Sequence, residues 1–196
     1  MKQTFSNREI LKEATAILKP HRLKAIGQYL FISFILAILF SVLFGRGALI
    51  GSFITIFLVI RWSLSYVKKG SFSFEEAFEG VTFKHFIYFI CTLLLIGLSI
   101  VGGLILLIVP GIIFAIRLMF AMYISVEKQI KPMAALKESK RITKGYRWKI
   151  FWFCCLMGLI NILGFLCLFV GILYTIPLSK ISTTLLYKKL SEKAVN

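Results

Sequence analysis

The sequence contains no aspartate, and its eight acidic residues, all glutamate, stand against 24 lysines and arginines. Aspartyl intramembrane proteolysis is thereby excluded. There are two histidines, His21 and His85, and no His-Glu-x-x-His zinc motif or Gly-x-Ser-x-Gly elbow occurs. The four cysteines, Cys91, Cys154, Cys155 and Cys167, all fall inside apolar runs. None forms a Cys-x-x-Cys pair and none has a histidine beside it, so neither a disulfide framework nor a zinc site is implied. They read as small buried hydrophobes. No cofactor and no metal are expected.

What the sequence has instead is apolar surface. It is 59% hydrophobic and 16% charged, with a mean hydropathy of +0.88, which excludes an ordinary soluble domain. Residues 86–126 form an almost unbroken apolar stretch. As one helix it would reach about 60 Å, twice the hydrocarbon thickness of a bilayer, so it must fold back. Pro110-Gly111 is the expected break, because proline removes a donor and glycine tolerates the turn. Gly164 and Gly171 bracket a second hairpin within 148–187 in the same way. Gly45-Arg46-Gly47 makes a third turn. The fold expected is all-α, a polytopic integral membrane protein of one domain. Its six transmembrane helices lie at about 25–44, 48–67, 86–107, 110–126, 148–166 and 170–188.

Charge sets the expected orientation. Six of the cations precede the first span, three lie in 68–84, eight in 128–149 and three after Tyr187, whereas the opposite loops carry only Arg46. By the positive-inside rule both termini and the two longer loops face the cytoplasm. The polar N-terminus, with no small-residue cleavage site after the first apolar run, argues against a signal peptide. A net charge of +16 flanking spans points to anionic headgroups and not to nucleic acid.

Each hairpin follows a segment with helix-start signals. "FSNREILKEATAILK" has Ser6 as cap, Glu9 three residues on, and Phe5 placed to staple against Ile10. Its apolar residues Ile10, Ala14, Ile17 and Leu18 share a face. Ser73 and Glu76 repeat the pattern in "FSFEEAFEG". In "KPMAALKESKRITKG", Pro132 suits the first helical position and Gly145 the exit. Three interfacial helices, about 6–19, 73–80 and 132–144, are expected to lie half-sunk at the cytoplasmic surface; capped linkers are the rival reading. "EEAFEG" also pairs glutamates ahead of His85, an arrangement seen in intramembrane glutamic proteases. Those enzymes need an arginine close behind the pair, where Gly80 stands here. A solvated helix start fits better, and no enzyme is expected.

The second helix of every hairpin carries one cation: Arg61, Arg117 and Lys180. A tyrosine follows each, at Tyr66, Tyr123 and Tyr187. Arg61 and Lys180 lie close enough to cytoplasmic lysines to snorkel. Arg117 lies farther in, where a snorkelling or carbonyl-satisfied structural role is the rival to anion binding, and an arginine at a span centre costs from about 2.5 to well over 10 kcal/mol. It lies ten residues before Glu127, with no acid nearer on the chain. Backbone carbonyls, a polar side chain such as Asn161, water or a lipid phosphate are the partners left to it. Asn161 itself, a lone intramembrane amide, reads as helix–helix glue.

From Pro110 to Leu190 the sequence resembles a bacterial family of six-helix membrane proteins of unassigned function. It is similar also to the membrane domain attached to some glycerophosphoryl diester phosphodiesterases. The matching elements are Pro110-Gly111-Ile112, Arg117, Ala135 with Ser139, Gly145, Trp148, Pro177 and Tyr187. The resemblance implies six spans and a bacterial cytoplasmic-membrane location, and no activity. In the phosphodiesterase relatives the chemistry belongs to a separate soluble domain rich in histidine and acidic residues, which these 196 residues do not contain.

The function expected is therefore non-enzymatic: binding or handling of an anionic amphiphile such as a phospholipid, with Arg117, Arg61 and Lys180 offsetting the headgroup charge. Membrane lipids are the expected partners. The alternative is a scaffold or assembly partner of another membrane protein, or a homo-oligomer, packing through the small-residue faces around Gly97–Gly103 and Gly158–Gly171. A small exporter or immunity-type protein would use the same features.

Overall fold

The computed structural model describes residues 6–35, 48–72, 82–106, 108–166 and 170–195, and every regular element among them is helical. The expected turn at 45–47, the segment 73–80, Phe5 and Cys167 lie outside the described residues. Helix α1 (Asn7–Leu18) starts as its capping residues dictate: Ser6 is extended and its N–H donates to the Glu9 carboxylate at 3.3 Å. Ile10, Ala14 and Leu18 are fully buried and Ile17 half-buried. The apolar stripe expected to sink into the membrane interface thus packs on protein, where burying an Ile or Leu is worth about 1.5–3 kcal/mol.

A 3₁₀ turn (Lys19–His21) leads into α2 (Arg22–Leu30) and a π-helical turn (Phe31–Ile35). Then come α3 (Ala48–Lys69), α4 (Phe83–Leu106), α5 (Ile108–Leu118), α6 (Ala121–Lys128), α7 (Pro132–Ile142), α8 (Arg147–Leu166) and α9 (Val170–Val195). Among the described residues, three stretches are long and apolar enough to cross a membrane: Phe83–Gly103, Val109–Lys128 and Arg147–Leu166. In the first and third only 22% is buried within the protein, so most of their apolar surface faces outward. Leu94, Leu98, Val109, Leu159, Ile162 and Leu166 are among the exposed side chains. Surface of that kind suits lipid and would drive aggregation in water. The chain is compatible with a membrane protein.

Two compact units are present, Met1–Phe78 with Leu156–Leu186, and Glu79–Cys155 with Tyr187–Asn196. In the first, Trp62 is fully buried between Tyr29 and Tyr66, with ring centroids 5.6 and 4.9 Å away. Gln28 ties α2 to α3 and the loop after it: its Oε1 accepts from Tyr66 Oη at 2.9 Å, and its Nε2 donates to the Phe72 carbonyl at 3.1 Å. Thr184 donates to Ser63 at 2.9 Å, a buried hydroxyl pair between α9 and α3. Asn161 Nδ2 donates to Ser179 Oγ at 3.0 Å, joining α8 to α9 as interhelical glue would. At the α8–α9 turn the backbones touch through Gly164 and Gly171, where neither has a side chain to keep them apart.

In the second unit α4 and α5 form a hairpin whose closest approach is Gly103 against Gly111; a Cβ on Gly103 would lie 2.9 Å from the Gly111 Cα. The fold-back expected at Pro110 involves Leu107, which lies outside the described residues. α4 ends at Leu106 and α5 begins at Ile108, so Pro110 sits in the first turn of α5. There the missing N–H removes nothing, because first-turn donors have no intrahelical partner. A further interruption, at Met119–Phe120, separates α5 from α6. Ile96, Leu118, Ala121 and Leu136 form a buried cluster from α4, α5, α6 and α7. Thr92 and Ser125, both buried, bring α4 to α6 with hydroxyls 3.3 Å apart.

Candidate functional site

Arg117 lies in the last turn of α5, just before the Met119–Phe120 interruption. A helix end leaves carbonyls without donors, and in apolar surroundings each one left so is costly. The fully buried Ser139 of α7 meets this need: its hydroxyl donates to the Arg117 carbonyl at 2.8 Å. Ala135 and Ser139 are one helical turn apart and both small, so α7 approaches closely along that face, with Leu136 and Ile142 buried alongside. Thr143 extends the path, donating to the Ser139 carbonyl at 2.8 Å. The apolar face of α7 is thus covered by protein, leaving Met133, Lys137, Lys140 and Arg141 exposed. Ser139→Ala is expected to lower stability by about 1–3 kcal/mol through the orphaned carbonyl. Ser139→Thr restores the hydroxyl but adds a methyl against α5. Thermal unfolding of Ser139→Ala at the wild-type temperature would overturn this role.

The carbonyl of Arg117 is therefore satisfied, while one side-chain nitrogen is not. Its Nε is buried and has no hydrogen-bond partner among the described residues. The arrangement leaves a guanidinium donor turned into a half-buried position within an apolar span. Such a group calls for an oxygen acceptor with negative charge. No known protein family, curated protein or solved structure matches this chain.

Arg61 and Lys180, expected to share work with Arg117, are placed in the first unit, and Arg117 in the second. Arg61 is half-buried on α3 and Lys180 exposed on α9. His85 spends its Nδ1 accepting from the Thr82 N–H at 3.4 Å, at the start of α4. Cys154 lies with its Sγ 3.9 Å from the Met119 Sδ, while Cys91 is half-buried and Cys155 exposed.

The sequence pointed less clearly to a second cluster, at the end of α6. Glu127 accepts from Tyr187 Oη at 2.6 Å and forms a close ion pair with Lys188. Tyr187 is fully buried and packs against Phe120 and Tyr123, centroids 6.0 and 5.9 Å away. Two signals foreshadow it, the tyrosine following each intramembrane cation and the solitary acid at the end of the 109–128 stretch. Nearby, Glu138 accepts from Arg141 at 2.8 Å and Lys128 at 3.3 Å. Burial pushes the Glu138 carboxyl up, but the hydrogen bonds and charges of these two cations outweigh it and hold the group below the ordinary glutamate value.

Proposed function

We propose that this chain is a non-enzymatic integral membrane protein that binds or handles an anionic amphiphile. Six spans in the bacterial cytoplasmic membrane, with both termini cytoplasmic, belong to the same reading. One observation carries it: Arg117 lies within a stretch apolar and long enough to span, and its buried Nε has no acceptor among the described residues. A guanidinium with a buried donor left unmet is costly in an apolar span, and an anionic headgroup offsets that cost. Arg117 carries the proposed site, with Arg61 and Lys180 as the further cations of the same reading.

Native mass spectrometry of the detergent-purified protein tests the reading. Wild type is expected to retain anionic lipid, and Arg117→Leu to bind it on the order of tenfold less, as befits loss of a charge-assisted hydrogen bond worth about 1.5–3 kcal/mol. Equal retention by a folded Arg117→Leu protein sinks the proposal.

The scaffold reading draws on a different observation. Gly103, Gly164 and Gly171 are used up inside their own hairpins, but Gly97 and Gly158 are exposed, with open space where a Cβ would stand. Exposed Leu94, Leu98 and Leu159 flank them. Small-residue faces of this kind let another helix approach closely. Co-purification of a stoichiometric membrane protein, lost in Gly97→Leu or Gly158→Leu, would favour that reading.

A further inference from the structure

Several polar side chains described in the second unit have hydrogen-bond or ion-pair partners. Thr92 meets Ser125, Ser139 the Arg117 carbonyl, and Thr143 the Ser139 carbonyl. Glu127 is engaged by Tyr187 and Lys188, and Glu138 by Lys128 and Arg141. Against this background two buried side-chain atoms of the unit, among its described residues, have no hydrogen-bond partner, and both are arginine Nε atoms: Arg117 and Arg147. Glu127 and Glu138 are committed elsewhere, so the two buried Nε atoms share one unmet need, for an oxygen acceptor.

The two arginines sit at the ends of one hydrogen-bonded path. Ser139 holds the Arg117 carbonyl, Thr143 holds the Ser139 carbonyl, and the Tyr146 N–H donates to the Thr143 carbonyl at 3.2 Å. Gly145, with φ +87, turns the chain between α7 and α8, and Arg147 is the first residue of α8. A further cation stands near this end, Lys193 Nζ lying 5.9 Å from the centre of the Tyr146 ring.

The residues following Arg147 indicate where it lies. Trp148 and Trp152 are 70% and 55% exposed, and Phe151 stacks on Trp148 at 5.5 Å. Exposed tryptophans at the start of an apolar helix belong at headgroup depth, where the ring faces hydrocarbon and the indole N–H faces water. An anion reaching Arg147 there would bring its acyl chains against these rings, as a lipid does and free phosphate does not.

We propose that Arg147 is a second headgroup-binding residue, so that this unit holds two phosphate-bearing lipids, one at Arg117 within the span and one at Arg147 at its cytoplasmic end. The proposal rests on the anionic-amphiphile reading of Arg117 and adds a separate binding point to it. Each arginine turns its buried Nε outward and, with a terminal nitrogen, grips two phosphate oxygens side-on, a geometry that lysine cannot reproduce.

The test counts lipids. Purified protein is exchanged into vesicle-derived phosphatidylglycerol, and bound lipid is counted by native mass spectrometry, with thermal unfolding as the check on folding. Wild type is expected to retain two lipids, Arg147→Leu one, Arg117→Leu one, and the double variant none. Arg147→Lys should hold its lipid on the order of tenfold less tightly than wild type, since the fork is lost while the charge stays. Two lipids on a folded Arg147→Leu protein would overturn the assignment. Should Arg147→Leu fail to fold, wild-type affinity in Arg147→Lys does the same. Loss of one lipid in Arg147→Leu alongside none in Arg117→Leu would sustain Arg147 and sink the reading of Arg117. Inorganic phosphate alone is expected to leave no adduct; phosphate bound as tightly as the lipid would show that the acyl chains contribute nothing, and would overturn the lipid assignment.

Discussion

Gly164→Leu is expected to destabilise the protein by more than about 3 kcal/mol, beyond the usual cost of overpacking, or to prevent accumulation of folded protein. A Cβ at this position would stand 2.5 Å from the Thr175 Oγ1, 2.8 Å from its Cγ2 and 3.2 Å from the Gly171 carbonyl carbon. Two of these belong to a β-branched side chain with few rotamers, and the third is backbone, so neither neighbour yields cheaply. A Cβ on Gly171 would press on the Gly164 carbonyl oxygen in return. The hairpin therefore closes only while both positions lack a side chain, and a larger residue must push α8 from α9. Gly158, one and a half turns earlier on the same helix, is the internal control. It has nothing within 4 Å of a Cβ. Gly158→Ala is expected to be neutral or to stabilise by up to about 1 kcal/mol, through helix propensity alone. Thermal unfolding in detergent, read by loss of monodisperse protein, compares the two. Equal melting of Gly164→Leu and wild type would sink the account of the hairpin.

Glu127→Leu is expected to cost roughly 3 kcal/mol, the lower end for breaking a buried charge pair, because Lys188 and Tyr187 both lose their partner. The side chains of Lys188 and Glu127 retain 23% and 15% exposure, so solvent softens the loss without removing it. The phenol loses its carboxylate acceptor as well: Tyr187 is fully buried beside Phe120 and Tyr123, and its hydroxyl would be left with its hydrogen bond to Ser191. Glu127→Gln, which keeps an acceptor for Tyr187 Oη, should recover about half of the loss. A double-mutant cycle with Lys188→Met separates the ion pair from the rest, and a coupling of at least about 1.5 kcal/mol is expected. A coupling near zero would reduce the pair to a surface contact. The consequence reaches beyond stability, since this cluster ties the end of α6 to α9 across 60 residues of chain.

Much of the helix layout was legible from the residues alone. Ser6 and Glu9 start α1, Pro132 opens α7, and Gly145 takes the left-handed turn after it. These are local rules, in which a residue and its neighbours within four positions decide the backbone. The surfaces of α1 and α7 were less legible. A stripe such as Ile10, Ala14 and Leu18 reads the same whether lipid or protein covers it, because both are apolar, and the structure places protein there. The candidate site shows the same division. Arg117 stood out as a cation in an apolar run, whereas Arg147, one of eight cations in 128–149, had nothing in sequence to set it apart. Only its buried, unpartnered Nε does so.

By itself the sequence determined the helical class and the long apolar stretches, since composition and periodicity act residue by residue and need no knowledge of what lies across the fold. The tertiary structure decided that Pro110 lies within α5 and that the helix is interrupted at Met119–Phe120. It also decided that Ser139 meets the Arg117 carbonyl and that Glu127 meets Tyr187 and Lys188. Each of these depends on which polar group lies opposite another once helices pack. In an apolar interior a hydroxyl or carboxylate is held by the nearest partner in space, however distant that partner is along the chain.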